Sequence, residues 1–177
     1  MSIEPAGDIS VRRLAPADWK LLKGLRLRAL QDSPDAFAST LEREVGFDEE
    51  TWRSRCVTSA YFLAEVGGTP CGIVAGFRDF AAPDEQAGSP ASPASLEMVS
   101  MWVAPEYRRL GVASELVEHL LEFGRSEDVD EVSLWVAEGN GAAVATYVRL
   151  GFEATGAVQP LPHRPERCET RMSLTLG

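Results

Sequence analysis

The sequence predicts one mixed α/β domain, and three observations carry that expectation. The chain has 177 residues, a length that suits a single core. Runs with strand-like alternation are interleaved with helical stripes. The order reads strand, two helices, hairpin, strand, helix, strand, helix, strands, which is the pattern of a mixed sheet covered by helices.

The elements follow in order. Residues 9–14 read as a first strand, with Ile9 and Val11 on one face. Ala15-Pro16-Ala17-Asp18 reads as a helix start, because proline suits the first helical position and an acid the first turn. Trp19, Leu22, Leu25, Ala29 and Leu30 recur at helical spacing, and Ser33-Pro34 ends that helix. A second helix opens at Asp48-Glu49-Glu50, with Asp48 as cap, and runs to about Val57. Residues 61–66 and 71–80 form a hairpin about Gly67-Gly68. Residues 81–95, rich in Ala, Pro, Ser and Gly, form a loop.

Residues 96–103 are a strand that Pro105 closes. Residues 110–123 are an amphipathic helix with Ala113, Leu116, Val117, Leu120 and Leu121 in one stripe. Residues 131–136 are the next strand, so the intervening helix suits a crossover between parallel neighbours. Residues 140–150 are a short helix, with Asn140 as N-cap and Gly151 as stop. Strands at 152–157 and 169–176, joined by a proline-rich loop, complete the chain.

Composition excludes several function classes. The net charge is −10, from 17 basic and 27 acidic residues, which disfavours a broad nucleic-acid face. No run of about 18 apolar residues occurs, so no membrane helix is expected. The first residues carry Glu4 and Asp8 and no apolar signal core, so a cytoplasmic location is expected. Cys56, Cys71 and Cys168 lie far apart and read as small core residues. His119 and His163 lack partners at ligand spacing, so no metal is expected.

The most informative segment joins a strand to a helix: Val103-Ala104-Pro105-Glu106-Tyr107-Arg108-Arg109-Leu110-Gly111-Val112-Ala113-Ser114. Unpaired N–H groups at a helix N-terminus favour an anion. Gly111 and Ala113 leave clearance, and Arg108 and Arg109 add charge for phosphate oxygens. The segment is neither a Walker A loop nor a dinucleotide fingerprint.

Arg108-x-x-Gly111-x-Ala113 resembles the acetyl-CoA motif of the GCN5-related N-acetyltransferase (GNAT) family. Asn140 with Tyr147-Val148-Arg149-Leu150-Gly151-Phe152 is similar to that family's later Asn and Tyr-x-x-x-Gly-Phe signature, in the expected order. The resemblance implies a mostly antiparallel sheet in which one parallel strand pair splays apart to admit pantetheine. It implies that the backbone of Met101 and Val103 holds the pantetheine amides. The N–H groups of Arg108, Arg109, Gly111, Val112, Ala113 and Ser114 would hold the pyrophosphate, and Asn140 would touch the pantetheine arm. A capping role for Asn140 is equally open.

By the same resemblance Tyr147 is a general acid toward the departing thiolate. A core tyrosine is the other reading. Glu97, grouped by alternation with Val99 and Met101, is the candidate base, and a salt-bridged strand residue is its alternative; a bulge, usual in the family, would change that facing. Ser100 is a weaker candidate for positioning water. No Ser-His-Asp or Cys-His arrangement is suggested, so direct transfer in a ternary complex is expected.

The acceptor is an amine on a small molecule or peptide. Residues 25–37, the 81–95 loop and residues 159–167 are expected to line its pocket. Trp19, Trp52 and Trp102 read as core or wall residues. Glu42, Glu44 and Asp48 read as solvated acidic surface. The resemblance admits a homodimer. A catalytically silent acetyl-CoA-binding module is the alternative function.

Overall fold

The computed structural model of the protein describes residues 7–78 and 95–177. The strands are β1 (Ile9–Arg13), β2 (Ala60–Val66), β3 (Thr69–Arg78), β4 (Ser95–Val103), β5 (Glu131–Ala137), β6 (Glu153–Leu161) and β7 (Arg164–Thr175). The helices are α1 (Trp19–Asp32), α2 (Leu41–Val45), α3 (Glu49–Thr58), α4 (Val112–Ser126) and α5 (Gly141–Arg149). The sheet order is β1-β2-β3-β4-β5-β7-β6. Every pairing is antiparallel except β4 with β5. The expected loop and the end of the expected strand at 79–80 lie outside the described residues.

Alternation along β2 and β3 divides the interior into two cores. Ala60, Phe62, Ala64 and Val74 pack with α4 on one face, while Tyr61, Leu63, Ile73 and Ala75 pack with α1 and α3 on the other. The α4 stripe buries Val112, Leu116, Val117, Leu120 and Leu121. Each large aliphatic side chain contributes roughly 1.5–3 kcal/mol on burial, far more than helix propensity differences. Packing therefore sets where α4 lies.

Local signals place most boundaries. Asp48 accepts from Thr51 N at 2.8 Å and caps α3. Residues Pro16–Asp18 form a 3₁₀ turn instead of the first turn of α1, because the Asp18 carboxylate folds back onto Ala15 N at 2.8 Å. Helix α2 was not expected; Thr40 caps it, and five residues are too few to display a period. Leu110 is exposed and precedes α4. The expected proline-rich loop is the end of a long hairpin. Pro160 sits on the edge strand β6 and Pro165 lies beyond the β5 pairing, so neither removes a needed ladder bond.

Two irregularities in β4 position the site. Ile73 pairs with Trp102 and Ala75 with Val99, so β4 carries one extra residue. The bulge falls at Ser100, whose φ is 58°. It returns Met101 to the α4 face, whereas Val99 packs on the α1 face. The expected grouping of Glu97 and Val99 with Met101 is therefore broken: Glu97 shares the side of Val99 only. Second, β4 pairs with β5 only from Ser95 to Glu97. Beyond that point the two strands diverge, which is the splayed pair the resemblance implied.

Glu44 is not surface charge. It is fully buried and accepts from Arg26 Nε at 3.0 Å, Arg26 Nη2 at 2.9 Å and Arg55 Nη1 at 2.8 Å. Arg26 lies 4.8 Å over Phe37 and Arg55 5.2 Å over Trp52. Burial alone would push the Glu44 carboxyl up, but the bonds from the two arginines outweigh it and bring its pKa to about 2. A depressed carboxylate stabilises the fold above its unfolded pKa, near 4.5, and that contribution drains away as pH falls toward 2. Glu44→Ala leaves two buried guanidinium groups uncompensated and should cost roughly 3–5 kcal/mol at neutral pH. Urea unfolding at pH 7 and at pH 3 checks both statements: the gap between wild type and variant should narrow at the lower pH.

Candidate active site

The opening between β4 and β5 is lined by backbone. Ala104 N donates to Cys71 O at 2.8 Å, so Ala104 faces β3. Strand alternation then turns the N–H and C=O groups of Met101 and Val103 the other way, toward β5, where no ladder meets them. The Val103 carbonyl accepts from Arg108 Nε at 2.9 Å, which leaves its N–H and the Met101 groups facing the gap.

The turn into α4 presents a row of donors. Gly111 has φ 89°, a conformation that glycine adopts without penalty, and it serves as N-cap. The first helical bond runs from Glu115 N to Gly111 O at 3.1 Å. The N–H groups of Arg109, Leu110, Gly111, Val112, Ala113 and Ser114 make no hydrogen bond to the described residues. Together with the α4 dipole they form an anion-binding concavity. Arg109 is exposed and held at φ 65°, a strained backbone for a residue with a Cβ.

Arg108 does something different from its neighbour. Its Nη2 donates to Asp32 at 2.6 Å while its Nε holds the Val103 carbonyl, so its side chain ties the turn to the end of α1. Asp32 also accepts from Trp102 Nε1 at 3.0 Å and from Ser33 Oγ at 2.8 Å. Burial works against the Asp32 charge, but these donors outweigh it and hold the carboxyl below its usual range. Arg28 adds a second tie, donating to Glu106 at 2.6 Å. Sequence reasoning assigned the Arg108 charge to phosphate; the structure has it paired within the chain.

The α5 segment is built by its caps. Asn140 accepts from Ala143 N at 3.4 Å, so its capping role is real, and the bond is long enough to be weak. At the other end Phe152 N donates to Tyr147 O at 3.0 Å and Gly151 N to Val148 O at 3.1 Å, with Gly151 at φ 98°. This is a Schellman motif, and its usual hydrophobic contact is the Tyr147–Phe152 ring pair at 5.8 Å. Tyr147 is 7% exposed, and burial pushes its phenol pKa well up. Its hydroxyl has no hydrogen-bond partner among the described residues. Glu97 is half-buried on the α1 face, in register with Ser133 of β5 at the last pair before the strands diverge.

A cleft of about 350 Å³ opens at this end of the sheet. Asp32, Asp35, Ala137, Glu138, Asn140 and Arg167 are among its walls, so it adjoins the ends of β4 and β5. A second cleft of about 270 Å³ lies between α1, α2 and the β6–β7 turn, with Leu30, Gln31, Glu42, His163 and Arg164 in its wall. The structure thus brings together two of the three segments expected to line an acceptor pocket. Ion pairs hold them: Arg164 and Arg167 each reach Asp35 at 3.1 Å. His163 Nε2 lies 3.2 Å from the Pro34 carbonyl, and Arg167 donates to Glu138 O at 2.6 Å. No local pattern marks these bridges, because they join residues far apart in the chain.

Known proteins place this architecture. Residues 27–152 match the acetyltransferase (GNAT) family. The chain is 34% identical over 145 residues to a mycothiol acetyltransferase of Thermobispora bispora, a match covering 81% of this chain and 46% of that protein. It spans about half the length of the curated relatives it matches. Among solved structures, a GNAT-family acetyltransferase from Streptococcus pneumoniae superimposes with TM-score 0.77 at 19% identity, covering 96% of this chain and 100% of that one. A putative acetyltransferase from Salmonella typhimurium, determined with its cofactor acetyl-CoA, gives 0.73 at 17% identity, covering 97% and 95%. With most of its length matched by the family and its splayed seven-stranded sheet shared with these structures, the chain belongs to the acetyltransferase (GNAT) family.

Proposed function

We propose that the chain transfers an acetyl group from acetyl-CoA to an amine by direct attack within a ternary complex. The observation that carries this reading is the continuity of two unpaired backbone surfaces. The free N–H row of residues 109–114 lies next to the outward groups of Met101 and Val103. A pyrophosphate on the first would lead a pantetheine arm along the second, with Gly111 and Ala113 giving clearance. Asn140 stands at the far wall of the opening, beside the 350 Å³ cleft. Arg109 suits a phosphate oxygen, which accounts for an arginine in a strained backbone position.

In this mechanism the amine nitrogen attacks the thioester carbonyl, the C–S bond breaks, and the thiolate leaves. Glu97, at the mouth of the divergence, takes the proton from the acceptor ammonium through water. Tyr147 faces the leaving group. A free thiol has a pKa near 8.5, and the Tyr147 phenol lies well above that, so it stays protonated and acts chiefly by hydrogen bonding to the developing thiolate. Burial raises the thiols of Cys56 and Cys71, which makes them poor nucleophiles and favours direct transfer over an acyl-enzyme. The likeness to a mycothiol acetyltransferase puts small-molecule amines first among acceptors to screen, and peptide N-termini second.

Calorimetric titration with acetyl-CoA tests the reading. The wild type should bind and a folded Arg109→Glu, Gly111→Trp variant should not; a folded wild type that ignores acetyl-CoA would falsify it. Binding with no thiol release across a broad amine panel would instead identify a silent acetyl-CoA module. Tyr147→Phe should lower kcat by roughly 10²-fold, with the KM for acetyl-CoA nearly unchanged, as thiol-release kinetics would register. Arg109→Gly relieves the left-handed backbone and should raise the unfolding free energy by roughly 0.5–1 kcal/mol, after the entropy of the added glycine is subtracted. The same variant should bind acetyl-CoA more weakly, a pairing of gains and losses that denaturation and calorimetry read separately.

A further inference from the structure

The structure assigns Ser100 as a hydrogen-bond donor to the thioester carbonyl oxygen, with its proton aimed by a buried chain that runs from Arg55 through Tyr61. The assignment rests on the acetyl-transfer reading given above. Ser100 is the bulged residue of β4, 7% exposed and held at φ 58°, three positions past the last residue paired with β5. Its Oγ lies 3.4 Å from the Tyr61 hydroxyl, and Tyr61 is 2% exposed. Arg55 faces that same hydroxyl. Burial opposes the Arg55 charge, but the Tyr61 oxygen and Glu44 outweigh it and raise the guanidinium pKa.

The donor inventory of these groups gives the chain one direction. A guanidinium can only donate, so the Tyr61 oxygen accepts from Arg55. The single Tyr61 proton is then left for Ser100 Oγ. The Ser100 proton, in turn, must point away from Tyr61. A hydroxyl oriented as a donor cannot collect a proton from an ammonium. It suits an oxygen that gains negative charge, and acetyl transfer makes one: as the amine nitrogen bonds to the carbonyl carbon, the C=O pair moves onto oxygen. When that pair returns, the C–S bond breaks and thiolate departs.

Charge supports the same direction. Behind Tyr61 sit two arginines against one glutamate, Arg26 and Arg55 with Glu44, and Arg26 Nη1 is buried with no partner among the described residues. Glu44, with a pKa of about 2, is ionised at neutral pH, so the cluster carries one net positive charge. That excess favours negative charge at the far end of the chain. The strained Ser100 backbone holds the hydroxyl there.

Ser100→Gly tests this, because it removes the hydroxyl while relieving the positive φ; Ser100→Ala removes it and keeps the strain. Both should lower kcat by roughly 10²-fold with the KM for acetyl-CoA within about twofold. Tyr61→Phe should also lower kcat, and Tyr61→Phe with Ser100→Gly should be no slower than Ser100→Gly alone. A second readout needs no turnover: the calorimetric preference for acetyl-CoA over CoA should shrink about threefold or more in Ser100→Gly. A folded Ser100→Gly that keeps kcat, or keeps the acetyl-CoA preference where the wild type binds without turnover, overturns the role of Ser100. Wild-type protein that fails to bind acetyl-CoA overturns the acetyl-transfer reading instead, so the two failures are distinct.

Discussion

The divergence of β4 from β5 is the constraint on which the rest of the structure depends. A sheet interior normally pairs its backbone groups, and leaving them unpaired is costly. Here the ladder stops at Glu97 and Ser133, and β4 continues to Val103 with one edge open. The opening persists because each strand is held from its other side. β3 pairs with β4 as far as Val103, and β7 pairs with β5 over its whole length. The bulge at Ser100 lets β4 change its facing without losing that second grip, so Trp102 fills one core while Val103 fills the other.

Two polar assemblies then fix what borders the gap. Asp32 gathers Trp102, Ser33 and Arg108, so one carboxylate joins the end of α1, the end of β4 and the turn into α4. The buried Arg26–Glu44–Arg55 group joins α1, α2 and α3 beneath Tyr61. Neither resembles a surface ion pair, which would contribute little. Removing one member of the buried group would strand the others, which makes it a specifier of one arrangement of these three helices.

Most of the fold was legible in the sequence because its signals are local. Asp48, Asn140 and Gly151 announce helix ends through groups a few residues away, and the α4 stripe announces its own face. The backbone donors of the turn were legible for the same reason. What was hidden depends on distant partners. Glu44 looks like one acid among many until Arg26 and Arg55 are folded around it. The Arg108 charge looks available until Asp32 is brought beside it. The facing of Met101 could not follow from alternation, since one extra residue in β4 reverses it. The ion pairs that dock the β6–β7 turn on residues 34 and 35 span most of the chain and leave no pattern in it.

The cap of α5 has a consequence for inheritance. Tyr147, Gly151 and Phe152 are required to end a helix and close it with a ring contact, whatever chemistry the phenol performs. A phenylalanine at 147 would keep the ring, the cap and the sheet edge below it. A descendant of this chain could therefore lose one oxygen atom and fold as before, still matching its ancestors at every structural mark. Kinship and competence are separable in such a protein. The difference between an acetyltransferase and its silent relative would then lie in single hydroxyls rather than in architecture.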